Sequence, residues 1–160
     1  MKKLELTKAP VAKAEMLIRK PIEEVFDAFI DPEITTKFWF TDSSGRIEQG
    51  KKITWKWSMY DIITEIEVKI VEKNKKIKIE WEYNGVLTPV EWIFTPLGKD
   101  ATFVSITNSG FGGDADKIID DALSSKGGFT WVLAGLKTYL EHGIQLNLIG
   151  DAYPKELRKH

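Results

Sequence analysis

Four glutamates, Glu65, Glu67, Glu80 and Glu82, are the acids whose spacing would suit a paired-carboxylate acid–base site. They share a strand phase with Lys69, Lys76 and Lys78, so they read as a solvated, self-neutralising face. The two histidines offer little more. His142 falls off the apolar stripe of its helix beside Gly143, where a protonated ring complements a helix C-terminus, and His160 is terminal. No Gly-x-Ser-x-Gly, His-Glu-x-x-His or P-loop occurs, and Gly110-Phe111-Gly112-Gly113 lacks the flanks of a dinucleotide turn. With no cysteine, disulfides, zinc–thiolate sites and thiol nucleophiles are excluded. The expectation is no catalytic residue, no metal ligand and no cofactor.

Aromatic surface is the other chemistry on offer. Trp55, Trp57, Trp81 and Trp92 share the apolar phase of their strands, where they either fill core or line a pocket for a flat ligand. Tyr60, Tyr83, Thr107 and Asn108 would be polar handles in such a cavity. Phe38-Trp39-Phe40 cannot all face inward from a regular element, so this run reads as a gate at a pocket mouth or as a packing hinge.

The elements positioning these residues follow from periodicity. Residues 1–10 read as a frayed start, and Ala12, Ala14, Met16 and Ile18 alternate as a first strand. Pro21 opens a short helix bearing Ile22, Val25, Phe26 and Phe29 on one face. Asp31 caps a second, with Pro32 at its first position, running to about Phe38. From Arg46 to Ser109 the chain alternates apolar and charged residues as about six strands, one face of the sheet apolar and the other wet. A two-residue turn at Asn74-Lys75 would set Ile70 opposite Ile79 and Lys69 opposite Glu80. Asp114 starts a further helix, and Gly128-Phe129 opens the long amphipathic one, with Phe129, Leu133, Leu136 and Leu140 on one stripe. Such a helix must cover a sheet face, leaving room for a cavity between them. Trp131 lies off the stripe, as a partner surface or packed against residues 111–127.

Composition narrows the class. At 42% hydrophobic and 29% charged residues, 160 residues suit one globular domain, 1–160. Lys and Arg number 23 against 24 Asp and Glu, so no bulk field favours nucleic acid or anionic membrane. The N-terminus lacks the apolar run of a signal peptide and no stretch could span a bilayer; a cytoplasmic location is the expectation.

In order and spacing the motifs resemble the SRPBCC (START-like, helix-grip) superfamily, in the branch of the activator of the ninety-kilodalton heat-shock chaperone's ATPase. The resemblance rests on Lys20-Pro21-Ile22-Glu23-Glu24-Val25-Phe26-Asp27-Ala28-Phe29, Asp31-Pro32-Glu33 leading to Phe38-Trp39, Ser109-Gly110-Phe111, and Gly128-Phe129 through Tyr139-Leu140-Glu141. Where that family usually has Gly-Trp, this chain has Gly128-Phe129. The resemblance implies an α+β fold with a seven-stranded curved antiparallel sheet gripping a C-terminal helix around an apolar pocket. It implies no particular reaction, since the superfamily holds binders, carriers, cyclases and chaperone regulators.

The leading expectation is non-catalytic binding of a hydrophobic or aromatic small molecule by Trp39, Trp55, Trp57, Tyr60, Trp81, Tyr83, Trp92, Phe129 and Leu133. The alternatives are a polyketide cyclase/aromatase-like enzyme and a chaperone-regulating interaction domain, with a homodimer or a chaperone as macromolecular partner.

Overall fold

Pro21 follows the first strand by three residues, and it caps a helix (φ −58°, ψ 150°) that begins one residue later, at Ile22, rather than opening it as the first helical residue. The computed structural model describes residues 2–158, so His160 lies outside them. Residues 2–11 form no helix or strand. The elements are β1 (Ala12–Ile18), α1 (Ile22–Ile30), α2 (Pro32–Thr35), β2 (Asp42–Ser43), β3 (Lys52–Trp57), β4 (Ile62–Glu72), β5 (Lys76–Tyr83), β6 (Val86–Pro96), β7 (Thr102–Asn108), α3 (Ala115–His142) and α4 (Leu148–Asp151). The seven strands form one curved antiparallel sheet in the order β1-β7-β6-β5-β4-β3-β2. The fold is thus α+β of the helix-grip class.

Asp31 caps α2 as its sequence suggests, its carboxylate accepting from the Glu33 N–H at 3.0 Å. The helix stops at Thr35 rather than near Phe38. Turns follow, and that irregular backbone lets Phe38, Trp39 and Phe40 all point inward, at 7%, 7% and 2% exposure. The run is a packing hub, not an exposed gate.

The β4–β5 hairpin closes through Lys73-Asn74-Lys75, with Glu72 opposite Lys76 and Asn74 at φ 60°. Near the turn Ile70 therefore faces Lys78, not Ile79. Lys69 is the extra residue of a bulge, beyond which Val68 faces Ile79. The bulge switches the inward phase from Ile66 and Val68 to Val71. It also places the Lys69 ammonium 2.8 Å from Glu67 and 3.7 Å from Glu80, two glutamates that face each other across the strands. The Lys69–Glu80 ion pair forms, but by a bulge rather than by direct pairing.

The helix α3 is continuous for 28 residues, about 42 Å, from an Asp114 cap whose carboxylate accepts from the Lys117 N–H. Gly127 and Gly128 lie inside it and do not open it. Ala122, Ser125, Phe129, Val132, Leu133 and Leu136 form its buried face. Burying each large apolar side chain of that face contributes about 1.5–3 kcal/mol. At Gly135 the helix comes so near the hub that an added Cβ would lie 3.2 Å from the Phe38 Cβ. Gly143, at φ 67°, ends α3 with its N–H on the Tyr139 carbonyl.

Candidate functional site

Trp39 is the centre of the aromatic hub. Its ring lies 4.8 Å from Trp55, 6.1 Å from Trp57, 6.2 Å from Trp81, 6.0 Å from Trp92 and 5.8 Å from Phe129, centroid to centroid. Rings on α3, on β3, β5 and β6 and on the turn after α2 thus meet at tilted or edge-on angles, the arrangement aromatic quadrupoles favour. The indole Nε1 atoms of Trp81 and Trp92 have no hydrogen-bond partner among the described residues. They lie among aromatic faces, which offer an N–H only the weak acceptor of a π cloud.

The packing stops short on one side of this hub. Between the outer ends of β4 and β5, the middle of α3 and the segment after α3 lies an open cavity of about 760 Å³. Trp39, Trp57, Trp81 and Phe129 form its apolar floor, and Tyr60, Tyr83, Ser124 and Ser125 supply polar atoms. Gly128 opens into it. A Cβ built there would meet nothing within 4 Å. Two adjacent glycines inside a helix cost about 1 kcal/mol each relative to alanine, and at Gly128 no close helix contact requires one. The empty volume beside Gly128 is the cavity itself.

Six of the nine candidate residues meet on this wall: Trp39, Trp57, Tyr60, Trp81, Tyr83 and Phe129. Trp55, Trp92 and Leu133 do not. Trp55 is stacked on Phe40 at 4.7 Å, Trp92 is held among Phe29, Trp39 and Phe129, and Leu133 is wholly buried on the inner face of α3. They share the inward phase with the wall residues but lie deeper in the packed core. Strand phase determines the face of the sheet, not the depth along it.

Several wall residues were not singled out from the sequence. Asn84 belongs to the β5–β6 turn, Asn84-Gly85, where both residues have positive φ (47° and 88°) as a two-residue hairpin requires. The Asn-Gly pair between Tyr83 and Val86 is the sequence signal for it. The Asn84 side chain donates to Asp121 on α3 at 2.8 Å, and Lys117 Nζ reaches the same carboxylate at 2.7 Å. Lys117 and Asn84 hold the Asp121 carboxyl below its ordinary value. Ile149, Ala152, Tyr153, Leu157 and Arg158 line the cavity from the segment after α3, where the helix-like spacing of the apolar residues is interrupted by Pro154 and forms only the four-residue α4. Trp131, 45% exposed, sits on the rim.

A buried polar cluster stands behind the wall. Asn108 Nδ2 donates to Thr88 Oγ1 and to the Pro89 carbonyl, each at 2.9 Å. A carbonyl only accepts, so this fixes the amide orientation and turns Asn108 Oδ1 towards Ser125. Ser125 must then donate its hydroxyl proton to Asn108, at 2.9 Å. Any further bond to Ser125 Oγ must be donated to it. At the other end Tyr83 donates to Ser124 Oγ at 3.0 Å, and Tyr60 donates to the Ile149 carbonyl. Burial pushes both phenols above their ordinary value, so each stays protonated at neutral pH. His142 is exposed at the end of α3, and it is not among the residues of the wall. Among the described residues no three His, Cys, Asp or Glu side chains cluster to hold a metal, and no helix is long and apolar enough to cross a membrane.

Comparison with known proteins agrees with this fold. No curated protein sequence matches the chain. Among solved structures, the protein SSP2350 from Staphylococcus saprophyticus is 34% identical, with a TM-score of 0.73 over 86% of this chain and 96% of that one. The Aha1 dimer from Colwellia psychrerythraea is 20% identical, with a TM-score of 0.70 over 84% and 98%. The di-domain ARO/CYC BexL from the BE-7585A biosynthetic pathway is 13% identical, with a TM-score of 0.72 over 82% of this chain and 46% of that one. These last two likenesses are of fold. Over residues 19–141 the sequence matches the model of the Activator of Hsp90 ATPase homolog 1-like protein family, and the chain belongs to that family.

Proposed function

We propose that this protein binds a flat, largely apolar aromatic molecule in the cavity between sheet and α3, without transforming it. The observation that carries the reading is the open cavity beside Gly128, of about 760 Å³ and floored by Trp39, Trp57, Trp81 and Phe129. That volume falls in the range of small-molecule sites, which combine apolar walls with a few placed polar groups. Ring faces and edges would hold a planar ligand by offset and edge-on stacking.

A cyclase or aromatase would need an acid or base at the reacting atom. The protonated phenols of Tyr60 and Tyr83 already donate to Ile149 and Ser124, which suits orientation rather than proton abstraction. A chaperone-regulating role rests on family membership. Stimulation of the chaperone's ATPase by this chain would support that second reading, and its absence would remove it.

Tryptophan emission reports directly on the cavity floor. Titration with naphthalene, anthracene and flavone-type probes should quench or shift the emission saturably. A response no different from that of free tryptophan across the panel would contradict the proposal.

A further inference from the structure

The chain after α3 turns back across the mouth of the cavity as a strap, and none of the strap lies within the family match, which ends at residue 141. Its attachment is specific. Tyr60 donates to the Ile149 carbonyl, and the Tyr60 and Tyr153 rings meet edge-on at 6.2 Å. The Arg158 guanidinium lies over the Tyr60 ring, 4.4 Å from its centroid. Arg158 Nε donates to the Tyr153 carbonyl and Nη1 to the Met59 carbonyl, both at 2.9 Å.

These contacts fix a planar cation on the cavity wall. A guanidinium carries five N–H donors, and these two bonds leave donors at Nη2 without a partner among the described residues. No described carboxylate forms an ion pair with Arg158. Asp151, on the same strap, accepts instead from Asn147 Nδ2 at 3.0 Å. The other ionised wall residue, Glu82, is exposed on β5. A fixed cation beside apolar rings favours a ligand with an anionic end, because charge-assisted bonds to a guanidinium are stronger than neutral ones.

Resting on the binding reading above, we propose that the ligand is an aromatic acid whose carboxylate is held by Arg158, so that the strap determines ligand class. The aromatic body lies on Trp57, Trp81 and Phe129, and the carboxylate lies at the mouth, where Arg158 meets Tyr60.

The test compares 2-naphthoate with methyl 2-naphthoate, probes of one ring system that differ in charge, by calorimetry and tryptophan quenching at neutral pH. The intact protein should bind the acid at least about tenfold more tightly than the ester. Arg158→Gln should bring the two affinities together, with a much larger loss for the acid than for the ester. Arg158→Lys should keep part of the preference, because the charge remains and the planar fork does not. Equal affinities in the unaltered protein, or a preference that survives in Arg158→Gln, would overturn the assignment while leaving aromatic binding in place. Failure of both probes to bind would overturn the binding reading itself, and the assignment with it.

Discussion

Asn108 shows how much one side chain can organise. It is wholly buried and joins Thr88 and Pro89 on β6 to Ser125 on α3. Replacing it by alanine would leave the buried Ser125 hydroxyl without its acceptor and the buried Thr88 Oγ1 without its donor. A loss of about 2–3 kcal/mol is expected for Asn108→Ala, measured by urea unfolding. A change below about 0.5 kcal/mol would mean that water takes over the bonds. The Lys137–Glu141 ion pair at the far end of α3 has a different signature. Burial opposes ionisation of Glu141, but the Lys137 ammonium at 2.6 Å and the Arg19 N–H at 3.0 Å outweigh it and lower its pKa. The stabilisation is therefore full above the ordinary value of 4.5 and is lost as pH falls through the lower value of the folded state. Glu141→Gln should lower the thermal midpoint at neutral pH and flatten its decline on acidification below pH 4.5. An unchanged acid limb would show that the pair contributes nothing.

Glycines divide α3 by what each faces. At Gly127 an added Cβ meets nothing within 4 Å, and the residue is exposed. Gly127→Ala should stabilise the protein by about 0.5–1 kcal/mol, since it adds helix propensity without contact. Gly135→Ala should destabilise it by about 1–3 kcal/mol, because the new Cβ would lie 3.2 Å from Phe38 Cβ and 3.3 Å from its carbonyl oxygen. Thermal midpoints moving the same way in both variants would contradict this account of the helix. The strands were legible because Ile53, Trp55 and Trp57, or Ile77, Ile79 and Trp81, keep period two and are buried. The bulge at Lys69 was not, since one extra residue leaves no compositional mark. The first half of α3 was also obscure as a continuation of the long helix. Its buried face carries Asp121 and Ser125, polar residues whose partners on the β5–β6 turn and β7 are distant in sequence.

At the scale of the whole molecule, seven strands and one long helix make a shell, and the aromatic residues fill it on one side only. The inward-facing tryptophans could be read from the sequence. Which of them border a cavity could not, because that depends on Gly128 and on where the strap after α3 docks, a contact between parts distant in sequence. Trp131 is exposed where it borders the cavity, which accounts for its position without a second subunit. Trp131→Ala should weaken binding of aromatic probes and leave the native mass unchanged. A change in mass would instead place a subunit interface there. The central claim is that the space beside Gly128 is the binding site, and occlusion tests it most directly. A leucine at Gly128 points into the cavity, whereas a leucine at Gly127 lies on the exposed face of the same turn. Fluorescence titration of both variants with one aromatic probe should show Gly128→Leu weakened by at least about tenfold and Gly127→Leu unchanged, both folded at a midpoint no lower than that of the parent. Undiminished binding by Gly128→Leu would contradict the account.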